Sequence, residues 1–282
     1  MTTARAPGKL MLFGEHGVVY GYPCIVTAIS ERLVVGPGES RGDTRFIDAA
    51  VKAWGKPGET FVAESSFSGK YGFGSSSAVT VATLKAIRSG ATNQEVFDTA
   101  YKIVLEIQGK ASGFDVAAAV YGGTLYYVKD KTIESLPITD IPLVVGYTGI
   151  KANTTALIED VARKRAAEPE KVERIFEAIG KLVIDAKEKM IEANWERVGR
   201  LMDFNQEYLR DLGVSSEKLE LLISAAKGVG AWGAKLSGAG GGDCMIALVS
   251  KEKRQVVEEA ITQVGGQVIH ITTGAPGVRV DR

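Results

Sequence analysis

The sequence predicts an α+β fold with two domains: a β-rich N-terminal domain and a helix-rich C-terminal domain that contains a small sheet. Residues 6–36 consist mainly of apolar runs separated by a glycine-containing turn, a pattern typical of strands. Residues 168–227 instead carry amphipathic patterns of helical period. The chain has 282 residues, which is enough for two cores. We therefore place the domains at 1–145 and 146–282.

The elements of the N-terminal half follow from its apolar runs and from its turn and capping residues. Thr92 precedes a helical pattern and Glu95 follows three residues later, which is the sequence signature of a capping box. Gly90 is suited to end the preceding helix. In chain order, we expect strands within 10–13 and 25–35, a short helix at 47–54, a strand at 60–67, helices at 77–88 and 92–108, and a strand at 124–128.

The C-terminal half begins with a short apolar strand and then becomes helical. Three of its segments place apolar residues at the spacing of one helix face. In chain order, we expect a strand at 142–147, helices at 168–189, 194–212 and 216–227, strands at 234–236 and 244–249, a helix at 252–264 and a strand at 267–272.

Composition and charge exclude several classes of protein. Lys plus Arg and Asp plus Glu both number 34, whereas binding to nucleic acid or to a membrane surface relies on excess positive charge. The two cysteines, Cys24 and Cys244, cannot form a disulfide scaffold or a four-cysteine zinc site. No apolar run reaches the length of a signal peptide or the roughly 18 residues of a membrane span. We expect a cytoplasmic protein with buried, reduced cysteines and no nucleic-acid or membrane partner, and a homodimer is left open.

Three separated segments contain the glycine and serine residues that phosphate binding requires. They lie at residues 6–16, 72–77 and 238–242. Glycine lets the backbone approach an anion closely, and a helix that follows directs its free N–H groups at that anion. Each loop could also be a simple turn or a helix cap, since serine is a common N-cap. The second segment lacks the Gly-Lys-Ser/Thr ending of a P-loop.

In this order, the three segments resemble the signatures of the GHMP superfamily, the small-molecule kinases that include galactose, homoserine, mevalonate and phosphomevalonate kinases. The resemblance extends over essentially the whole chain and implies the two-domain GHMP kinase fold. It also implies ATP as the phosphoryl donor and Mg²⁺ as the cofactor, with the Ser76 hydroxyl on the metal. The residues that it assigns to the nucleotide are Gly72, Gly74, Ser75, Ser76, Ser77, Gly238, Gly240 and Gly241.

Asp115 and Lys9 are the candidate catalytic residues. In mevalonate kinases, the aspartate at the place of Asp115 is the proposed catalytic base, and it follows a Ser-Gly pair as it does here. A carboxylate near the substrate hydroxyl can take its proton during phosphoryl transfer, although an aspartate after a turn is also a common cap. Lys9 borders an apolar segment, where an unpaired ammonium is costly. The resemblance places it beside Asp115 and the transferred phosphate.

The resemblance assigns substrate contacts to Glu15, His16 and Ser112. The sequence Gly14-Glu15-His16 is similar to a segment of mevalonate kinases that contacts the substrate. Considered alone, His16 is equally consistent with a core histidine.

The motifs divide between two kinases of the superfamily. Residues 6–21 and 199–215 resemble mevalonate kinases, whereas residues 70–76, 112–119 and 242–244 resemble phosphomevalonate kinases. Of the two activities we expect that of mevalonate kinases, which is the ATP-dependent phosphorylation of mevalonate to 5-phosphomevalonate in isoprenoid precursor biosynthesis. The alternatives are phosphorylation of 5-phosphomevalonate and a non-catalytic ligand sensor of the same fold. The joint presence of the candidate catalytic and metal-binding residues argues against a sensor.

One position departs from the mevalonate kinase pattern. Those enzymes often have a Mg²⁺-binding glutamate eleven residues before the catalytic aspartate, and that position is Val104 here. The nearest carboxylate is Glu106, about 200° further around a helix, so we expect it to face elsewhere. Mg²⁺ would then be held by Ser76, the nucleotide phosphates and water.

Overall fold

The first of two antiparallel sheets is built almost entirely from the N-terminal half. The computed structural model describes residues 2–39 and 42–281. The strands of the first sheet are β1 (Ala4–Phe13), β2 (Cys24–Pro37), β3 (Phe61–Ser65), β4 (Thr124–Val128), β5 (Thr132–Leu136) and β10 (Arg279–Val280). Their order is β10-β1-β2-β4-β5, with β3 paired to the other end of β2.

Four helices accompany this sheet: α1 (Arg45–Trp54), α2 (Ser75–Ile87), α3 (Asn93–Gln108) and α4 (Phe114–Tyr121). Helices α2 and α4 pack on β1 and β2, and α1 and α3 pack on α2. Most of α2 is buried because its residues are small or apolar on nearly every side. The predicted capping box at Thr92 and Glu95 is confirmed, with both of its hydrogen bonds present.

The second sheet contains β6 (Leu143–Tyr147), β7 (Gly233–Ser237), β8 (Cys244–Leu248) and β9 (Gln267–Ile269). It is also antiparallel, and its strand order is β7-β8-β6-β9. The helices of this half are α5 (Thr154–Ala167), α6 (Pro169–Ile191), α7 (Trp195–Leu212), α8 (Glu217–Gly228) and α9 (Arg254–Gln263). Helix α7 approaches β7 closely because two glycines meet there: a Cβ atom on Gly233 would lie 1.9 Å from the carbonyl oxygen of Gly199.

The α+β fold is confirmed, and every strand and helix expected from the sequence has a counterpart in the structure. Both cysteines are buried and free, as predicted. Elements β5, α4, α5 and β10 were not predicted. Helix α5 buries Val161 but few of its other side chains, so it lacks the apolar period that reveals a helix. Among the described residues, no helix combines the length and the apolarity that crossing a membrane requires.

The course of the chain bears on the predicted domains at 1–145 and 146–282. Strand β6, which begins at Leu143, is the first strand of the second sheet. The last strand, β10, returns to the first sheet and pairs with β1. Residues 279–280 therefore lie in the N-terminal sheet, and the division at 145/146 stays a prediction.

Candidate active site

A cavity of about 550 Å³ lies between the two halves of the molecule. One side of its lining comes from β1, from the start of α2 and from the start of α4, and the other side comes from the loops after β6 and β7. All three glycine-containing segments of the sequence reach it: Lys9 and His16 from the first, Gly72 to Ser76 from the second, and Gly238 and Ala239 from the third.

The predicted catalytic pair, Lys9 and Asp115, lines this cavity together. Lys9 is 9% exposed, and its Nζ donates a hydrogen bond to the carbonyl oxygen of Gly72 at 2.8 Å. Burial lowers the pKa of Lys9, while the negative charges of Asp115 and Asp243 oppose that shift. Asp115 lies in the first turn of α4, where the positive end of the helix dipole favours a carboxylate.

The second segment bends through two glycines and opens α2 towards the cavity. Gly72 and Gly74 have φ values of 72° and 78°, a left-handed conformation that favours glycine. Gly74 is the N-cap of α2, and the next two residues, Ser75 and Ser76, line the cavity. A helix N-terminus with free N–H groups and two hydroxyls is suited to binding phosphate.

Ser77 does not occupy the place that the sequence predicted for it. Its side chain is fully buried behind the cavity wall, because α2 turns this position towards α4. Its Oγ donates a hydrogen bond to Oδ2 of Asp115 at 2.7 Å. The Ser77 side chain therefore contacts the candidate base, and a contact of its backbone N–H with the nucleotide stays a prediction.

The third segment is only partly exposed to the cavity. Gly238 and Ala239 line it, whereas Gly240 and Gly241 do not, and the nucleotide contacts expected for these two glycines stay a prediction. A Cβ atom on Gly240 would lie 2.1 Å from the carbonyl oxygen of Val214, and the backbone N–H of Gly241 donates to that oxygen at 2.7 Å. These two glycines therefore serve the close packing of the loop on the C-terminal helices.

Glu15 and His16 are adjacent in the sequence, but their side chains face different parts of the structure. His16 lines the cavity and its Nε2–H donates to the carbonyl oxygen of Ala239 at 2.9 Å. Burial lowers the pKa of His16, which favours the neutral ring. Glu15 is fully buried in an ion pair with Lys235 of β7, and its predicted substrate contact is therefore corrected. Lys235 was missed by the sequence analysis, although an ammonium inside an apolar strand was a signal for such a pair.

Asp243 is a second carboxylate in the cavity that was not predicted. It is 8% exposed and has a φ of 53°, an uncommon conformation for a residue other than glycine. Its Oδ1 accepts a hydrogen bond from the backbone N–H of Ala152 at 2.9 Å, and burial raises its pKa. Ser112 also lines the cavity, as predicted, and its carbonyl oxygen accepts a hydrogen bond from the hydroxyl of Tyr127 at 2.7 Å.

The oxygen atoms around the cavity fit Mg²⁺, which prefers oxygen ligands and retains water. Ser76 and Asp243 could hold the ion. Val104 is fully buried in the core and Glu106 is exposed away from the cavity, as the sequence analysis expected. The described part of the chain holds no group of three or more His, Cys, Asp or Glu side chains arranged for a metal. Phosphate and water would therefore have to complete the coordination.

Family models for the two halves of a GHMP kinase match this chain. The model of the GHMP kinases N terminal domain matches residues 44–123, and that of the GHMP kinases C terminal matches residues 186–267. The mevalonate kinase of Thermococcus gammatolerans is 35% identical over 99% of this chain and 98% of that protein. The mevalonate kinase of Pyrococcus horikoshii is 36% identical over 99% of this chain and 97% of that protein.

Solved structures also match this chain over almost its whole length. The L. major mevalonate kinase in complex with R-mevalonate has a TM-score of 0.85 at 25% identity, covering 98% of this chain and 97% of that one. The phosphomevalonate kinase of Streptococcus pneumoniae has a TM-score of 0.82 at 16% identity, covering 97% of this chain and all of that one, and so shows the shared fold alone. From the cavity, the two family models and the full-length relatives, we conclude that this chain belongs to the GHMP kinase family.

Proposed function

We propose that this enzyme transfers the γ-phosphoryl group of ATP to the primary hydroxyl of mevalonate, giving 5-phosphomevalonate and ADP. The observation that carries the proposal is the meeting of Lys9, Asp115 and the N-terminus of α2 in one cavity. Relatives that align over almost the whole chain are mevalonate kinases, which supports mevalonate as the acceptor.

In this proposal, the start of α2 binds the phosphates of ATP. The free N–H groups of its first turn and the hydroxyls of Ser75 and Ser76 face the cavity and would hold the β- and γ-phosphates. Gly74 allows this approach, since a Cβ atom there would lie 3.2 Å from Cγ of Lys9. When bound, Mg²⁺ would neutralise charge on the phosphates, and Ser76 and Asp243 would supply protein oxygens to hold it.

Asp115 and Lys9 have different roles in the transfer: Asp115 accepts a proton, and Lys9 stabilises negative charge. The Asp115 carboxylate accepts the proton of the mevalonate hydroxyl as its oxygen forms the new bond to the γ-phosphorus. The bond from the γ-phosphorus to the bridging oxygen of ADP breaks in the same displacement. The Lys9 ammonium stabilises the negative charge on the transferred phosphoryl group. That charge in turn favours the protonated form of Lys9, which burial disfavours.

Substrate contacts are proposed for His16 and Ser112, which line the same cavity. The neutral His16 ring donates to the carbonyl of Ala239, and this bond fixes the ring at the junction of the two halves. A cytoplasmic location and a homodimer stay predictions.

The alternative acceptor, 5-phosphomevalonate, adds a dianionic phosphate that needs cationic partners. Among the described residues, three cations besides Lys9 line the cavity: Arg45, Lys110 and Lys151. The test must therefore include both acceptors. Lys70, the cation nearest to the second segment in sequence, lies outside the cavity lining with its Nζ 5.5 Å from the ring centroids of Tyr71 and Tyr147.

A coupled ADP-release assay with each acceptor tests the proposal directly. We expect turnover with mevalonate and a much lower kcat/KM with 5-phosphomevalonate. Asp115→Asn should lower kcat by roughly 10²–10⁴-fold while ATP still binds. A higher kcat/KM with 5-phosphomevalonate would establish the alternative kinase. Ligand binding with no ADP released from ATP in the presence of either acceptor would establish a sensor.

A further inference from the structure

The hydroxyl of Ser77 is buried and directed at the candidate base, although it does not reach the cavity. Its Oγ donates to Oδ2 of Asp115 at 2.7 Å. The other carboxylate oxygen, Oδ1, accepts the backbone N–H of Val116 at 3.0 Å. The two oxygens of Asp115 are thus each held by one donor, one from α2 and one from α4.

These two hydrogen bonds fix the plane of the carboxylate. A general base must direct an oxygen lone pair at the substrate hydroxyl, and small errors of orientation reduce its efficiency. A donor to a carboxylate also stabilises the ionised form, which is the form that accepts a proton. The N–H of Val116 belongs to the same helix as Asp115, so Ser77 supplies the hydrogen bond that ties the base to a second element.

We propose that Ser77 is a positioning residue for Asp115 in the phosphoryl transfer described above; this inference rests on the proposed function. Ser77 follows Ser75 and Ser76 in the first turn of α2. One rigid helical turn therefore sets both the place of the ATP phosphates and the orientation of the base. The Ser77 hydroxyl acts through Asp115 and contacts neither ATP nor the acceptor.

The charged and titratable groups around Asp115 come from three strands. Lys9 of β1 is the cation, while Cys24 of β2 and Tyr127 of β4 also lie close enough to interact with Asp115. Burial raises the pKa of Cys24 and of Tyr127, so both remain neutral over the working pH range. Loss of the Ser77 hydroxyl should therefore alter the orientation of the Asp115 carboxylate without changing the charge of a neighbouring group.

The test compares Ser77→Ala, Asp115→Asn and the double variant in single-turnover assays with ATP and mevalonate. Ser77→Ala should lower the rate by roughly 10–100-fold, the range set by a hydrogen bond to a charged group. The KM for ATP should stay within about two-fold, because no ATP contact is lost. In the Asp115→Asn background, the Ser77→Ala change should cost almost nothing.

A matched control comes from the same helix. Thr83 is also fully buried, and its hydroxyl donates a hydrogen bond to the carbonyl oxygen of Val79 in the α2 backbone. Thr83→Val should leave the rate unchanged. Ser77→Cys keeps the side-chain size with a weaker donor and should give an intermediate rate, which separates the hydrogen bond from packing.

The outcomes separate this inference from the proposed function. If Ser77→Ala is as active as the parent while Asp115→Asn is impaired, the role of Ser77 is overturned and the function stands. An equal loss from Ser77→Ala in both backgrounds would also overturn it, since a structural role does not depend on the base. If Asp115→Asn retains full activity with mevalonate, both the mechanism and the role of Ser77 fail.

Discussion

Replacing Lys235 by methionine is expected to destabilise the protein by about 3–5 kcal/mol, the cost of leaving one partner of a buried ion pair without its counter-charge. Lys235 and Glu15 are both fully buried. The Lys235 ammonium also donates to the carbonyl oxygen of Leu236, whereas Oε2 of Glu15 has no hydrogen-bond partner within residues 2–39 and 42–281. Loss of the lysine therefore removes the hydrogen-bond donor and the ion-pair partner of this carboxylate.

The converse change, Glu15→Gln, should cost less. The amide oxygen of glutamine can still accept from Lys235, and the ammonium keeps the Leu236 carbonyl. The double variant should cost less than the sum of the two single changes, because it buries no unpaired charge. Urea denaturation followed by tryptophan fluorescence measures each free energy of unfolding.

Lys227→Met is the matched control for this experiment. Lys227 pairs with Asp203 in the same half of the molecule, but its side chain is 42% exposed. Loss of such a surface pair should cost at most about 1 kcal/mol. If Lys235→Met costs no more than Lys227→Met, or if the double variant costs the full sum, the pair does not carry the stability that its burial implies.

Three further predictions concern the cavity. Ser76→Ala should raise the Mg²⁺ requirement and the KM for ATP, and a change confined to the KM for mevalonate would remove Ser76 from the metal. Asp243→Asn removes a negative charge that favours the Lys9 ammonium, so the pKa of Lys9 should fall further. The alkaline limb of the kcat profile should then move to lower pH, and an unmoved alkaline limb would contradict this coupling. Lys70→Ala should leave the KM for mevalonate within a few-fold, because Lys70 lies outside the cavity lining; a large increase would show that it contacts the acceptor.

The sequence predicted the elements whose patterns repeat and missed those without a pattern. Helices α6 and α7 bury regular rows of apolar residues and were found close to their true ends. Helix α5 has a sparse buried face, and β10 has two residues whose pairing with β1 depends on a contact across nearly the whole chain. Such a contact leaves no local trace in the sequence.

The site was predicted at the level of segments but less well at the level of side chains. A glycine-rich motif indicates a phosphate loop, but it does not say which of its residues turn towards the ligand. Ser77 and Glu15 each lie next to a cavity residue and point into the interior, because neighbours on a helix or a tight turn face different directions. Asp243 was missed because nothing in the glycine-rich segment before it shows that the loop turns this carboxylate towards the cavity.

The pairing of β10 with β1 has a consequence for synthesis of the chain on the ribosome. Residues 4–5 pair with residues 279–280, and Arg5 also forms an ion pair with Asp281. Strand β1 carries Lys9, yet residues 4–5 at its outer edge cannot pair until residues 279–280 have been translated. During that interval the edge presents unpaired backbone groups, which makes it a site for chaperone binding or for association between nascent chains. A fragment that ends at residue 145 would retain this exposed edge permanently, and we therefore expect it to aggregate.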